Sequence, residues 1–185
     1  MQTKKHKNPE KKIQKIALPS KLKNSYLPYK TTFPELDTNY IVKKELGRGS
    51  YGVTYKIVDK NQPKQKYALK RLFALTQAKF ILLEIYYLRL LCDKPNIVSY
   101  KGAIRIDTQV DLLFEYIPHE KFSILVDILD LKGIKRYMFQ LLRALSVLES
   151  YGIIHRDVKP ANFLYSSKTN KGVLIDFGLS ELVKN

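Results

Sequence analysis

The chain has 185 residues, 45% of them hydrophobic and 27% charged, which suits one ordinary domain of roughly 100–200 residues. Its single cysteine, Cys92, excludes an intrachain disulfide, and its longest apolar run, Phe80 to Cys92, is broken by Glu84 and Arg89; that falls short of the roughly 20 residues that span a bilayer. The net charge is +16, and residues 1–30 hold nine lysines against one acid, Glu10, a local excess of +8. No apolar run of signal-peptide type follows those lysines, so the expectation is a soluble intracellular chain without membrane contact.

Residues 1–33 mix lysines with Pro9, Pro19 and Pro28 and show no sustained period, so they read as a basic disordered arm. Such a run can bind nucleic acid, serve as a nuclear address, or stay solvated; the sequence only weakly suggests nucleic acid. Folded structure is expected from about residue 34. Tyr40 to Leu46, Val53 to Asp59 and Tyr67 to Leu72 read as strands, with a turn at Asn61-Gln62-Pro63. Thr76 is the expected cap of a helix running to about Leu91. Cys92 is read as a small buried side chain on that helix. Asn96 to Ala103 and Val110 to Tyr116 read as two more strands around a turn near Asp107.

After Pro118 the period becomes helical. Phe122 to Leu131 is expected as a short helix and Gly133 to Ser150 as a longer one, with Ile134, Met138, Leu141, Leu142, Leu145 and Leu148 at helical spacing and Gly152 as its stop. Short strands follow at Phe163–Tyr165 and Val173–Ile175. The fold class is therefore α+β, with a sheet-rich lobe over residues 34–117 and a helical one over 118–185.

Gly47-Arg48-Gly49-Ser50-Tyr51-Gly52 is a G-x-G-x-x-G run. Glycines let backbone N–H groups approach phosphate oxygens. A strand follows it rather than a helix, so it lacks the context of a dinucleotide-binding turn; a flap between two strands and a plain hairpin turn both remain open. Lys70, on the third strand, and Glu84, in an apolar helix turn between Leu83 and Ile85, form a candidate buried pair, because each charge needs a partner there. The alternative is two unrelated surface charges.

His155-Arg156-Asp157-Val158-Lys159-Pro160-Ala161-Asn162, followed after a short strand by Asp176-Phe177-Gly178, resembles the catalytic loop and metal motif of eukaryotic protein kinases. The resemblance covers nearly all of residues 40–185. It implies a five-stranded antiparallel sheet with one helix, then a partial helical lobe, with ATP and Mg2+ as cofactors. It implies Asp157 and Lys159 as catalytic residues of a serine/threonine type, and Asn162 and Asp176 as metal ligands. It implies that ATP is held by the glycine-rich run with Leu46, Val53, Thr54, Ala68, Lys70 and Glu84. Phe114 is implied as gatekeeper and Glu115, Tyr116 and Ile117 as the hinge. Thr54 departs from the family's usual valine. Arg156 is the residue that would meet an ordering group from the activation segment, and no such group is legible here.

Asn162-Phe163-Leu164-Tyr165, the 14-position spacing from Lys70 to Glu84, and Tyr116-Ile117-Pro118-His119-Glu120-Lys121-Phe122 resemble the cell-division-cycle kinases that initiate replication. That resemblance implies Ser/Thr protein substrates, an activating regulatory subunit, the replicative helicase as substrate and a nuclear location, otherwise cytoplasmic. The seven residues after Gly178 contain no A-P-E. The expectation is a chain that breaks off in its activation segment, is weakly active or inactive alone, and leaves apolar surface uncovered on its helical lobe. The competing reading is a binding module without catalysis.

Overall fold

The computed structural model describes residues 40–73, 76–106 and 109–183. The basic arm over 1–33, the start of the sheet lobe at 34 and the turn at Asp107 lie outside these residues. Strands β1 (Tyr40–Gly49), β2 (Gly52–Asp59), β3 (Lys66–Leu72), β4 (Tyr100–Ile106) and β5 (Gln109–Glu115) form one antiparallel sheet in the order β1-β2-β3-β5-β4. Helix α1 (Ala78–Leu90) lies between β3 and β4 in the chain. Then come α2 (Phe122–Ile128), α3 (Leu131–Ser150), and the short strands β6 (Ile153–Ile154), β7 (Phe163–Ser166), β8 (Lys171–Leu174) and β9 (Glu181–Leu182). Pairs β7–β8 and β6–β9 are both antiparallel.

The period-two alternation of side chains decides which residues face the site. Leu69 and Leu113 join Tyr40, Ile57 and Ile104 in a small core on one side of the sheet. Their neighbours Ala68, Leu72, Leu112 and Phe114 face the opposite side and pack into the main core with α1, α3, β7 and β8. Lys70 shares that second side, between Ala68 and Leu72. On α1 the 3.6-residue period buries Ile81, Glu84, Ile85 and Leu88 on one stripe, which turns the Glu84 carboxylate toward the sheet.

Several boundaries differ from the sequence reading. Thr76 does not cap α1: Gln77 holds that position and makes no side-chain cap bond. Cys92 lies just past the helix, only partly buried, with Sγ 3.6 Å from the Tyr100 carbonyl. Residues 96–99 are not strand β4, because Ile97 bridges Leu174 of the other lobe and Asn96 has φ 61°. Helix α3 begins at Leu131, since the Asp130 carboxylate accepts from Gly133 N at 2.7 Å and caps it. It ends at Ser150 before Gly152, whose φ is +64°.

Of the six apolar residues at helical spacing on α3, Leu148 is buried and Leu141 and Leu145 pack partly buried against the core, whereas Ile134, Met138 and Leu142 are exposed at 48%, 44% and 58%; Gly133, Tyr137 and Ala144 complete the buried face. Apolar surface on this lobe is thus uncovered among the described residues. Among them no helix is long and apolar enough to cross a membrane.

Candidate active site

A cavity of about 250 Å³ opens between the sheet and the helical lobe. Leu46, Gly47, Gly49, Ser50, Tyr51, Gly52 and Thr54 come to it from the β1–β2 hairpin, and Ala68 and Lys70 from β3. Glu84 reaches it from α1, Phe114, Glu115, Tyr116 and Ile117 from the end of β5 and beyond, and Asp176 from below. Two of the proposed residues do not line it. Arg48 pairs with Glu45 at 3.2 Å, and Val53 is buried between inward-facing Gly52 and Thr54, as alternation requires.

Val98, His119, Ala161, Leu164 and Ile175 also line the cavity, and the sequence reading gave none of them a site role. Leu164 sits in β7, just after the loop that ends at Asn162, and Ile175 beside β8, just before Asp176-Phe177-Gly178, where period-two patterning could have placed them. Val98 and His119 are brought in by loops, which have no period to read. His119 Nδ1 lies 2.9 Å from the Ile117 carbonyl.

The glycines of the hairpin do two different jobs. A Cβ on Gly47 or Gly49 would meet nothing within 4 Å, whereas one on Gly52 would lie 2.2 Å from the Arg71 carbonyl oxygen. Gly52 thus permits the close packing of β2 on β3, and Gly47 and Gly49 leave backbone open to a ligand. Gly52→Ala is expected to lower the thermal midpoint clearly, through this backbone clash. Gly49→Ala is expected to leave it nearly unchanged while weakening nucleotide binding. Thermal unfolding and calorimetry on the two variants separate these effects.

Lys70 Nζ donates to Glu84 Oε1 and to Asp176 Oδ1, each at 2.8 Å. Burial alone would lower the Lys70 pKa, but the two carboxylates outweigh it and hold the ammonium above its usual range. Burial pushes the Glu84 carboxyl up, and Lys70 works against that shift. Asp176 has φ 64°, and Phe177 after it is fully buried against His155, ring centroids 5.1 Å apart. The buried Phe177 pins the segment so that Asp176 points at Lys70.

A second cluster adjoins the first. Asn162 Nδ2 donates to the Asp157 carbonyl at 2.9 Å and to Asp157 Oδ2 at 2.8 Å, and Lys159 Nζ donates to the same Oδ2 at 2.7 Å. The hydrogen bond from Lys159, helped by that from Asn162, holds the Asp157 carboxyl below its usual range. Ile175 N donates to the Asn162 carbonyl at 2.9 Å, so the catalytic loop and the Asp176 segment are laced together. His155 Nε2 bonds the Ile175 carbonyl at 3.0 Å and Nδ1 accepts from Asp157 N at 3.3 Å. Both bonds fit only the neutral ring with its proton on Nε2, and burial lowers its pKa accordingly.

Among the described residues no three His, Cys, Asp or Glu side chains converge as a metal cage. Asp176 and Asn162 nevertheless offer hard oxygen donors: Lys70 takes one Asp176 oxygen, and Asp157 takes the Asn162 amide hydrogens, leaving its carbonyl oxygen. One or two such ligands, completed by phosphate and water, is how Mg2+ is ordinarily held in phosphoryl-transfer sites. The residues fit that ion.

The family model "Protein kinase domain" matches residues 40–185. The chain belongs to the protein kinase family. Within the family, the chain is 31% identical over 150 residues to the human cell division cycle 7-related protein kinase, covering 80% of this chain and 26% of that protein. It is 35% identical over 142 residues to "Probable cell division control protein 7 homolog 2" of Encephalitozoon cuniculi, with 77% and 40% covered. It is 30% identical over 174 residues to the cell cycle protein kinase spo4 of Schizosaccharomyces pombe, with 80% and 41% covered. The chain thus spans about a quarter to two-fifths of the length of these relatives.

The kinase fold expected from the sequence is the fold observed: a five-stranded antiparallel sheet with one helix, then helices. One expectation is corrected. Arg156 does meet an acidic group in the segment after Gly178: its guanidinium donates to the Leu179 carbonyl and to Glu181 Oε2. Glu181 lies on β9, too short a strand to show in the sequence pattern.

Proposed function

We propose that this kinase transfers the γ-phosphoryl group of ATP to serine and threonine hydroxyls of proteins, in cell-cycle control and specifically in the initiation of DNA replication. The observation that carries the reading is the double ion pair of Lys70 with Glu84 and Asp176, set beside a carboxylate held by Lys159 and Asn162. Phosphoryl transfer depends mainly on positioning and charge neutralisation, and these clusters supply both. When bound, Mg-ATP supplies the phosphoryl group and the charge that balances it, and Asn162 and Asp176 would hold the metal.

Asp157 orients the incoming hydroxyl and takes its proton, and Lys159, reaching the same carboxylate, offers a positive charge to the group being transferred. Lys70, held by Glu84, fixes the phosphates. Leu46, Thr54, Ala68 and Phe114 wall the adenine end. The replication role, a nuclear location, an activating subunit and the replicative helicase as a substrate are what the resemblance to the replication-initiating cell-division-cycle kinases implies, and the basic character suits acidic targets.

Calorimetry and a transfer assay test this. The folded protein is expected to take up ATP only with a divalent cation, in the roughly micromolar to millimolar range usual for substrates, and to place labelled phosphate on serine or threonine only weakly when assayed by itself. No uptake by folded protein overturns the reading. Uptake without transfer reduces it to a nucleotide-binding module.

A further inference from the structure

We propose that the sheet face beside the hinge is a docking surface for an acidic protein segment, held by Lys43, Lys56, Lys60 and Lys66. A second cavity, of about 480 Å³, opens there and shares no lining residue with the nucleotide cavity. Its walls follow from strand pairing. Ile41 of β1 pairs with Val58 of β2, and Val58 with Lys66 of β3. Cross-strand partners lie on one face of a sheet, so these three side chains share a side. Alternation puts Lys56 there too, and the irregularity of β1 between Val42 and Lys44 brings Lys43 to it. Lys60 and Pro63 close the end from the β2–β3 turn.

The rim charge is not neutralised from within. Asp59 is the one carboxylate lining the cavity, and its Oδ1 accepts from Asn61 N at 2.8 Å and Gln62 N at 3.2 Å, which ties it to the turn. Among the described residues no carboxylate lies within ion-pair distance of Lys43, Lys56 or Lys66. Ammonium groups gathered round one concavity repel one another, and a ligand with several anionic groups relieves them together.

The lining favours a peptide over a nucleic acid. It holds no arginine and no aromatic ring, the groups that grip base edges and stack on bases. Its floor is aliphatic: Val58 is buried, Ile41 is 42% exposed and Pro63 stands at the end. That floor suits apolar side chains alternating with acidic ones along an extended segment. The surface also adjoins the hinge. Lys56 Nζ lies 4.5 Å from the centroid of the Tyr116 ring, and Tyr116 N donates to the Lys66 carbonyl at 3.3 Å. A docked segment is therefore anchored beside the hinge and apart from the catalytic clusters.

Fluorescence anisotropy on the full chain tests this with three labelled probes. They are a peptide alternating glutamate and leucine, the same peptide with glutamine for glutamate, and a single-stranded DNA of equal charge. Lys43→Glu combined with Lys66→Glu is expected to weaken the glutamate peptide by roughly tenfold or more, since two exposed attractions become repulsions. Lys11→Glu combined with Lys12→Glu removes the same charge from the N-terminal lysine run and should change the affinity by less than about twofold, because distant exposed charges are screened. The glutamine peptide should not bind. Thermal midpoint and Mg-ATP affinity should hold in both variants. In the wild type, bound glutamate peptide should shield Lys43, Lys56 and Lys66 from an amine-acetylating reagent, read by mass spectrometry.

No binding of the glutamate peptide overturns the docking surface. So does equal binding of the glutamine peptide, equal weakening by the two variants, or acetylation that bound peptide leaves unchanged. If the DNA binds more tightly than the glutamate peptide and loses that affinity in Lys43→Glu with Lys66→Glu, the surface is one for nucleic acid and the acidic segment is the wrong occupant. Should that variant's midpoint fall, the acetylation pattern of the wild type decides.

Discussion

Asp157→Ala is expected to remove phosphoryl transfer, by about 10²–10⁴-fold in kcat, while leaving Mg-ATP binding in place. The geometry separates the two functions. The Asp157 carboxylate is held by Lys159 and Asn162 and does not line the nucleotide cavity, whereas Lys70, Glu84 and Asp176 do. Removing it costs the hydroxyl its orienting acceptor and leaves the phosphate-facing ammonium untouched. The lowered pKa of Asp157 keeps this carboxylate ionised through the neutral range. Its stabilising contacts are present above the unfolded value of about 3.9 and are lost as pH falls through the depressed folded value, so acid should cost the wild type a little stability that the alanine variant has already lost. Steady-state kinetics and calorimetry on matched samples check the prediction. Abolished nucleotide binding at an unchanged thermal midpoint would count against the role assigned here.

The chemistry was legible in the sequence because it is written in contiguous spacing. Asp157, Lys159 and Asn162 lie within six residues, so one tight loop brings their polar atoms together whatever surrounds it. Lys70 was legible for a related reason: alternation along β3 sets it on the face shared by Ala68 and Leu72, and the helical period sets Glu84 on the buried stripe of α1. What escaped was long-range or aperiodic. Asn96 to Ser99 reads as strand by its apolar content, yet Ile97 is drawn to Leu174 across the lobes, and β4 starts only at Tyr100. On α3, Leu148 is buried and Leu141 and Leu145 pack against the core, but Ile134, Met138 and Leu142 face outward among the described residues, because period fixes a face and not what covers it. The Arg156–Glu181 pair spans 25 positions, and nothing in the spacing of two ordinary charges marks them as partners.

Lys70→Met is the substitution from which the largest loss of stability is expected. Glu84 is only 4% exposed, and with the ammonium gone it is left as a buried carboxylate without its partner. Removing one member of a buried pair typically costs about 3–5 kcal/mol. Methionine fills the stem volume, so the cost arises from the charge rather than from a cavity. The sign of the pH dependence follows. Burial already pushes the Glu84 carboxyl up, and without Lys70 to oppose it the folded-state value rises further above the unfolded value of about 4.3. A carboxyl whose folded pKa is raised favours the native state at low pH, and that advantage is lost as pH climbs from the unfolded value to the folded one. The variant should therefore come nearest to wild-type stability in mild acid and fall behind as the solution approaches neutrality. Adding Glu84→Gln removes the orphaned charge, so the double variant should regain stability at neutral pH and lose the pH dependence, while phosphate alignment stays impaired in both. Denaturant unfolding of the four proteins across this pH range measures the coupling directly. Equal losses from each change, summing in the double variant at every pH, would mean that the 2.8 Å contact carries no interaction energy.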